Sequence, residues 1–358
     1  MAPMFVPGPV DVAPEVAQAQ AKPMLPHRSP EFEALFHSCE QRARRLFRTQ
    51  HRVFLLAATG TAFQEACVRN LVTGKILVVV NGAFGKRWAE VARTNGKDTD
   101  VLEVPWGKAA RPEQVADMLR RNRYDVLAVV HNETSTGVEN PLKDIAAAAR
   151  EVQPDIFICV DSVSGLGGTP LEMDAWGLDV VFTSSQKCLA LPPGLALAAV
   201  TDRALERAKE VPYRGWYLDF VRLEKHRLKD STPATAAISL IYALDVQLDR
   251  IFTEGLENRW ARHAHMAQMV QTWAREHGFD LFAEEGYRSR TVTTIVNTRE
   301  WDIPALNAFL LERGMRIANG YGPLKHKTFR IAHMGETQPQ NLEALFEALE
   351  AFAQRQNR

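Results

Sequence analysis

The chain has 358 residues, of which 46% are apolar, so it can bury the core of one large domain and of one smaller one. Its 43 Lys and Arg residues are matched by 43 Asp and Glu residues, which gives a formal charge of zero. This balance provides no bulk attraction for nucleic acid, so no nucleic-acid partner is expected. No run of 18 apolar residues occurs, so we expect no membrane span.

The four cysteines are far apart in the sequence, at Cys39, Cys67, Cys159 and Cys188. They form no Cys-x-x-Cys pair, so neither a metal site nor a disulfide framework is expected. The first twelve residues lack the basic and apolar regions of a secretion signal. Reduced thiols in a cytoplasmic protein are therefore the expectation.

Residues 1–30 are rich in proline and glycine, which predicts an irregular arm rather than a helix. A helical pattern follows from Phe32 to about Phe47, and short apolar runs then alternate with helical stretches up to about residue 200. The runs that predict strands are Val53–Ala57, Ile76–Val80, Val126–Val130, Ile156–Val160, Val180–Thr183 and Leu195–Val200. Consecutive apolar positions are typical of strands buried on both faces. The alternation predicts an α/β fold with a mainly parallel, doubly wound sheet.

The pattern changes after a helical segment that follows Pro233 and continues to Ile251. Beyond it, the predicted elements are a long helix at about 256–277, a strand at 291–297, a helix at 303–313, strands near 315–318 and 328–332, and a final amphipathic helix. This order predicts a second, smaller α+β domain. We expect an N-terminal arm at 1–20, a large domain at 21–251 and a small C-terminal domain at 252–358.

Ligands of open α/β sheets bind at the carboxyl ends of the strands, so the residues that follow each run are informative. The first run is followed by Ala58-Thr59-Gly60-Thr61 and then a helical pattern. The free N–H groups and the positive dipole end of a helix N-terminus suit a phosphate group. An ordinary threonine cap explains the same turn equally well.

Two further strand ends carry candidate residues. The second run is followed by Asn81-Gly82-Ala83-Phe84-Gly85, where Phe84 would stack on a flat ring or simply fill the core. The third run is followed by the polar stretch His131–Gly137, which needs hydrogen-bond partners if it is buried. Capping of the next helix at the surface is the alternative for this stretch.

Asp161 and Lys187 complete the set of strand-end residues. A carboxylate at the end of a buried strand needs a cationic partner or a metal, whereas a single lysine is more often an ordinary surface residue. Together with the phosphate-type turn and the aromatic residue, they suit pyridoxal phosphate (PLP). The lysine can form an imine with the aldehyde, and the aspartate can keep the pyridine nitrogen protonated.

The stretch Val160-Asp161-Ser162-Val163-Ser164-Gly165-Leu166-Gly167-Gly168-Thr169-Pro170-Leu171, followed by Ser184-Ser185-Gln186-Lys187 and Pro192-Pro193-Gly194, resembles class V aminotransferases. The resemblance extends from Pro7-Gly8-Pro9 to the segment 330–335. It is closest to the alanine–glyoxylate, serine–glyoxylate and archaeal-type aspartate aminotransferases. It implies PLP fold type I and transfer of an amino group from alanine, serine or aspartate to a 2-oxo acid such as glyoxylate or pyruvate.

The resemblance also implies roles for single residues. Lys187 is expected to hold PLP as a Schiff base and to act as the general acid–base, while Asp161 pairs with the pyridine N–H. Arg330 is expected to bind the substrate α-carboxylate, and Gly8 to help close the substrate pocket. Further cofactor contacts are expected from Val163 and Phe84 on opposite ring faces, Thr134 beside the ring, and Thr59, Gly60, Thr61 and Gln186 at the phosphate.

The segment Ser231-Thr232-Pro233 resembles the part of these proteins that reaches the partner subunit's cofactor phosphate. The resemblance therefore implies a homodimer in which Thr232 is contributed in trans. Relatives of the alanine–glyoxylate type carry Trp at the position of Phe84, Ser at that of Thr134 and Tyr at that of Lys229. Lys229 would replace the tyrosine hydroxyl by a direct charge contact with the phosphate.

Three other functions remain open from the sequence. A PLP-dependent lyase such as a cysteine desulfurase needs a nucleophilic cysteine on a mobile loop and usually has His before the lysine. Here Gln186 takes that place and no cysteine follows Cys188. A non-catalytic accessory subunit would not need Lys187, Asp161 and Arg330 together. A Schiff-base enzyme without PLP would leave Asp161 and the phosphate-type turn without a purpose.

Overall fold

The computed structural model describes residues 4–356, and its strands follow the apolar runs of the sequence. The strands are β1 (Met4–Phe5), β2 (Arg52–Ala57), β3 (Lys75–Val80), β4 (Asp98–Glu103), β5 (Val126–Val130), β6 (Asn132–Glu133), β7 (Val138–Glu139), β8 (Phe157–Asp161), β9 (Val180–Ser184), β10 (Leu195–Val200), β11 (Asp280–Leu281), β12 (Val292–Val296), β13 (Arg316–Asn319) and β14 (Thr328–Ala332). The six strands predicted before residue 201 are all present, each with its ends within one residue of the prediction.

The helices lie between these strands. They are α1 (Pro14–Ala19), α2 (Pro30–Phe47), α3 (Gly60–Leu71), α4 (Ala83–Thr94), α5 (Pro112–Arg121), α6 (Leu142–Val152), α7 (Asp202–Glu210), α8 (Phe220–Arg227), α9 (Ile238–Glu254), α10 (Leu256–Glu276), α11 (Ile303–Leu311) and α12 (Pro339–Gln356). None of these helices, within residues 4–356, is both long and apolar enough to cross a membrane.

The prediction of an irregular arm over residues 1–30 is wrong in part, because the segment contains β1 and α1. Pro14 occupies the start of α1, where its fixed φ suits a helix and its missing N–H is not needed. Val16 and Ala19 of this helix are buried in the core of the large domain. A proline-rich segment therefore forms a helix here because the proline stands at its first position.

The large sheet has seven strands in the order β2-β10-β9-β8-β5-β3-β4. Strands β9, β8, β5, β3 and β4 pair in parallel, and β10 runs antiparallel to both β9 and β2. The predicted mainly parallel sheet is confirmed. The sequence does not predict the edge strand β4, since its residues are exposed or half-buried and four of the six are Asp, Thr or Glu rather than part of an apolar run.

Helices cover both faces of this sheet, as expected of a doubly wound fold. Alternate side chains of a strand point to opposite faces: Leu127 and Val129 of β5 pack with α1, α2, α5, α6 and α9, whereas Val126 and Ala128 pack with α3, α4, α7 and α8. Parallel pairing aligns the carboxyl ends of the central strands at one edge. That edge is where the strand-end residues meet.

The smaller sheet has the order β1-β13-β14-β12-β11 and packs with α10, α11 and α12. Its strands are antiparallel to their neighbours except β1, which pairs in parallel with β13. The predicted C-terminal α+β domain is confirmed, and the N-terminal arm adds an edge strand to it. The boundaries expected at residues 20 and 251 stay predictions.

Candidate active site

A cavity with a volume of ≈ 260 Å³ opens at the carboxyl edge of the large sheet. Nine of the residues expected to bind the cofactor line it: Thr59, Gly60, Thr61, Phe84, Thr134, Asp161, Val163, Gln186 and Lys187. Five lining residues were not expected: Gln64, Arg87, Val130, Asn132 and Ser164. The folded chain thus brings together residues that are up to 128 positions apart, from Thr59 to Lys187.

Lys187 lies three residues beyond the end of β9, and its Nζ atom donates a hydrogen bond to the carbonyl oxygen of Pro7. Burial, together with the positive charge of nearby Arg330, lowers the pKa of the Lys187 amine to about 8. About a tenth of this amine is therefore neutral at pH 7. A neutral amine is the form that attacks an aldehyde.

Gly8 packs directly on this lysine. A Cβ atom at Gly8 would lie 2.6 Å from Cδ and 2.9 Å from Nζ of Lys187, and the residue adopts a φ of +93°. Both the space and the backbone conformation therefore favour glycine at this position. The arm is fixed here by a hydrogen bond from the N–H of Val10 to the carbonyl of Gln186.

Asp161 is the last residue of β8, and both of its carboxylate oxygens accept hydrogen bonds. The N–H of Val163 donates to Oδ1 at 3.0 Å, and Nε2 of Gln64 donates to Oδ2 at 2.8 Å. Burial raises the pKa of Asp161 to about 6, although both hydrogen bonds and the charge of Lys187 oppose this rise. The carboxylate is mostly ionised at pH 7 and is able to hold a cationic group.

The turn after β2 forms the N-terminus of α3, with Thr59 at the cap position and Gly60 as the first helical residue. The Thr59 side chain makes no capping hydrogen bond, so ordinary capping does not explain the turn. A Cβ atom at Gly60 would overlap Cγ2 of Val163. The turn therefore presents free N–H groups and a hydroxyl to the cavity, which suits an anion such as phosphate.

Gln186 lines the cavity and stands one residue before the lysine in the sequence. Its Oε1 atom accepts a hydrogen bond from Oγ of Ser184 at 2.6 Å. This bond orients the amide and leaves its NH₂ group, a double donor, without a partner among the described residues. The amide can therefore donate to an anionic ligand.

The stretch 131–137 is buried, which excludes the surface-capping interpretation. Glu133 belongs to this stretch, and its carboxylate accepts hydrogen bonds from the N–H groups of Phe84 at 3.0 Å and Gly85 at 3.2 Å. Ser135 adds its hydroxyl at 2.5 Å and its N–H at 3.2 Å. Burial raises the pKa of Glu133, and these donors counter the rise. Glu133 thereby fixes the start of α4 at the cavity wall.

Phe84 lies in the first turn of α4 rather than in a loop. Its ring is half-buried, with the Tyr321 ring at a centroid distance of 5.8 Å and the Arg87 guanidinium 5.0 Å away. The residue lines the cavity, so one face of a flat ligand can contact it. The alternative that Phe84 only fills the core is therefore not supported.

Arg330 lies on β14, and only 8% of its surface is exposed. Its Nε atom donates to the carbonyl of Asn319 at 3.1 Å, and its Nη1 atom donates to the carbonyl of Thr134 at 3.2 Å. Since Thr134 lines the cavity, this bond places the guanidinium at the cavity rim. The Nη2 atom has no hydrogen-bond partner among residues 4–356. Burial lowers the pKa of Arg330 to about 10, so it remains cationic at pH 7.

Two predicted contacts lie outside the cavity of this single chain. Lys229 is exposed beyond the end of α8, and the hydroxyl of the buried Thr232 donates to the carbonyl of Ala234 at 2.6 Å. Thr232 was expected to reach the partner subunit's cofactor phosphate, and Lys229 was expected to make a charge contact with the phosphate. Their roles stay predictions.

Among the unexpected lining residues, Gln64 carried a recognisable signal. It stands at helical spacing from Cys67, Val68 and Leu71, which are all buried. A polar residue on an apolar helix stripe needs a partner, and Asp161 is that partner. Arg87 had no such signal, because an arginine near a helix start is common at the surface.

The donor set of this cavity fits PLP. A lysine amine with a lowered pKa, an ionised carboxylate, a glycine turn at a helix N-terminus and an aromatic wall surround one space. Each matches one part of the cofactor: the aldehyde, the pyridine nitrogen, the phosphate and the ring. The fold and the site together define a PLP enzyme of fold type I.

The sequence profile of the family described as Aminotransferase class-V matches residues 14–332, and the chain belongs to this family. An uncharacterized aminotransferase of Methanocaldococcus jannaschii is 36% identical over 340 residues, which cover 93% of this chain and 87% of the relative. The L-aspartate–glyoxylate aminotransferase of Paracoccus denitrificans is 32% identical, and the match covers 93% of this chain and 86% of that relative.

A solved structure is also similar along nearly the whole chain. The alanine–glyoxylate aminotransferase of Nostoc sp. superposes with a TM-score of 0.92 at 33% sequence identity, and the match covers 98% of this chain and 94% of the other. The protein is therefore a class V aminotransferase, and its cofactor is PLP. The family and cofactor predicted from the sequence are confirmed.

Proposed function

We propose that this enzyme transfers the amino group of a small amino acid, such as alanine, serine or aspartate, to a 2-oxo acid such as glyoxylate or pyruvate. The observation that carries the proposal is that the Lys187 amine and Asp161 line one cavity, with the Arg330 guanidinium at its rim. The similar proteins named above support glyoxylate as an acceptor, since two of their names contain it.

The residues of the cavity divide the work of such a transfer. When bound, PLP supplies an aldehyde that forms an imine with an amine and a ring that withdraws electrons from the adjoining carbon. Asp161 holds the proton on the ring nitrogen, and the turn at Thr59 and Gly60 holds the phosphate. Nζ of Lys187 would move the proton between the α-carbon of the amino acid and the aldehyde carbon of the bound cofactor. Its lowered pKa suits this exchange near neutral pH.

Arg330 is proposed to bind the α-carboxylate of both substrates. Its Nη2 atom is free among the described residues, while two carbonyls hold the rest of the guanidinium in place. A guanidinium fixed in this way loses little side-chain entropy when it binds a carboxylate. The charge of the substrate is thus held at the rim while its α-carbon faces Lys187. Pro7 and Gly8 cover the lysine on the arm side and exclude water there.

We also propose a cytoplasmic homodimer in which Thr232 and Lys229 of one subunit reach the cofactor phosphate of the other. The exposure of Lys229 supports this arrangement, as does Leu228 beside it, whose large apolar side chain is 68% exposed. The four cysteines are buried and free, which suits a reducing compartment. Sedimentation of the loaded enzyme tests the dimer. The contact between Thr232 and the phosphate is tested by whether Thr232→Ala loses the part of the PLP affinity that depends on the phosphate group.

A half-reaction screen tests the function. The PLP-loaded enzyme is mixed with single amino acids, and conversion of the visible Schiff-base absorption to that of pyridoxamine phosphate identifies the donor. Alanine, serine or aspartate should give the conversion. Sulfide release from cysteine without any conversion would instead favour the lyase alternative. Absence of any reaction with all amino acids would favour an accessory subunit.

Substitution of the lysine provides the control for that screen. Lys187→Ala should abolish steady turnover, because no other amine lines the cavity among the described residues. Lys86→Ala is the matched control, since Lys86 is an exposed lysine on α4 and should retain full turnover. Steady turnover by Lys187→Ala at the rate of the control variant would overturn the assignment.

A further inference from the structure

Gln64 is a buried amide that the proposed reaction does not use. It lies in the second turn of α3, 1% of its surface is exposed, and it lines the cavity beside Asp161. Its Nε2 atom donates to Oδ2 of Asp161 at 2.8 Å. Its Oε1 atom is buried and has no hydrogen-bond partner among the described residues. Burial of a glutamine with an unpaired oxygen costs free energy, so its contact with Asp161 calls for a functional explanation.

We propose that Gln64 is a positioning residue for Asp161, whose amide N–H orients the carboxylate toward the cavity and favours its charged form. The inference rests on the proposed role of Asp161 as the partner of the PLP ring nitrogen. A neutral carboxylic acid would hold a protonated ring nitrogen less well than a carboxylate does.

The geometry around Gln64 supports a fixed donor. Its main-chain carbonyl accepts a hydrogen bond from Nε1 of the buried Trp88 at 3.1 Å, which ties this turn of α3 to α4. Across from it, the N–H of Val163 donates to the other oxygen of Asp161 at 3.0 Å. Two donors on two different oxygens determine the plane of the carboxylate. Since Asp161 lines the cavity, its remaining lone pairs are available to a ligand there.

Because of the charges around Asp161, the Gln64 amide affects whether this carboxyl group is ionised. Burial disfavours the carboxylate, and the negative charge of the buried Glu133 disfavours it further. The Val163 N–H, the Gln64 amide and the charge of Lys187 act in the opposite direction. Removal of the amide leaves one neutral donor and one cation against burial and a like charge. The balance then moves toward the protonated acid.

A glutamine side chain can also stabilise the protonated form of a carboxyl group. If its amide were turned over, Oε1 would accept a hydrogen bond from a protonated Asp161, and the side chain would then favour neither form. A purely structural role makes the same prediction of no preference. The test therefore has to report on the ring nitrogen and on the carboxyl proton, besides activity.

The variant is Gln64→Met, which keeps the length of the side chain and removes its donor. Its matched control is Gln247→Met, since Gln247 is also fully buried and its Nε2 atom donates to Oε1 of Glu336 at 2.8 Å, away from the cavity. Dissociation constants of the cofactor-free proteins are measured for PLP and for its deaza analogue, in which carbon replaces the ring nitrogen.

Gln64→Met is expected to weaken PLP binding by about tenfold, the usual size for one hydrogen bond to a charged group. Binding of the deaza analogue should change less than twofold, because it has no ring nitrogen for Asp161 to hold. The control variant should bind both ligands as the unchanged protein does. An equal loss for both ligands, or no loss for either, overturns the inference.

A second measurement follows the carboxyl group directly. In cofactor-free protein carrying ¹³C at the aspartate carboxyl carbons, the Asp161 signal, assigned with Asp161→Asn, should titrate at higher pH in Gln64→Met. An unchanged titration overturns the inference. If Gln64→Met does not fold, Gln64→Leu is used in its place, and thermal unfolding against the control establishes that the fold is intact.

The failure of this inference can be told from failure of the proposed role of Asp161. Unchanged PLP affinity in Asp161→Asn would overturn that role, and the inference with it. A loss of affinity in Asp161→Asn without a loss in Gln64→Met would overturn the inference about Gln64 alone.

Discussion

Capture of PLP by the cofactor-free enzyme should depend on pH through the Lys187 amine. Burial and the charge of Arg330 both disfavour the protonated amine, so the pKa is lowered from 10.5 to about 8. A lowered pKa means that the neutral, reactive amine is present above pH 8 and is lost as the pH falls through 8. At pH 7, an amine with a pKa of 8 is about 9% neutral, whereas one with a pKa of 10.5 is about 0.03% neutral. The protein environment thus raises the reactive fraction roughly 300-fold.

Stopped-flow absorbance gives the rate of Schiff-base formation between pH 6 and 10. The same series with free α-acetyl-lysine corrects for ionisation of PLP itself. The corrected rate should rise tenfold per pH unit at low pH and level off above about 8. Arg330→Gln should move the midpoint upward, because a nearby positive charge is removed. A midpoint at the pH of free lysine, or one unmoved by Arg330→Gln, would show that the reasoning is wrong.

Three further substitutions test single contacts of the site. Arg330→Lys should raise KM for the amino donor about tenfold with a smaller change in kcat, because a lysine cannot form a two-pronged contact with a carboxylate; an unchanged KM in steady-state assays would contradict this. Gly60→Ala should weaken PLP binding measured by equilibrium dialysis, since its Cβ would overlap Val163, whereas Gly74→Ala meets only ordinary contacts and should bind normally. Glu133→Gln should lower the free energy of unfolding in urea by about 2 kcal/mol, because the NH₂ group of the new glutamine would face hydrogen-bond donors instead of accepting from them. Equal stability of the variant would argue against a buried carboxylate that accepts from four donors.

The sequence predicts the large sheet well, because strands buried on both faces are visible as uninterrupted apolar runs. It does not give their direction: Leu195–Val200 is as apolar as its neighbours, yet it is the one strand among the seven that runs the opposite way. Edge position hides β4, whose side chains are half in solvent. The helix at Pro14–Ala19 is hidden because proline usually ends a helix, and only its place at the first position permits one.

The site could be predicted where a residue lies at the end of a strand or just beyond it, as Asp161 and Lys187 do. Topology alone brings such residues to one edge, so their neighbours along the chain are enough to find them. Gln64 and Arg87 lie on helices, and their approach to the cavity depends on helix rotation and packing. Arg330 is on the other sheet, and only the resemblance to a family indicated it. Thr232 stays a prediction, since it concerns a second subunit.

The pairing of β1 with β13 has a consequence for the time at which the enzyme becomes complete. The ribosome makes Met4 and Phe5 312 residues before their partners Arg316 and Ile317. Pro7 and Gly8, which cover Lys187, therefore lack the support of this strand pairing until residues 316 and 317 have emerged. Such distant pairings form late and slowly. The large sheet can thus assemble its anion-binding turn and its lysine during synthesis, while the strand pairing that completes the wall around the reactive amine forms only after residue 317 has been made.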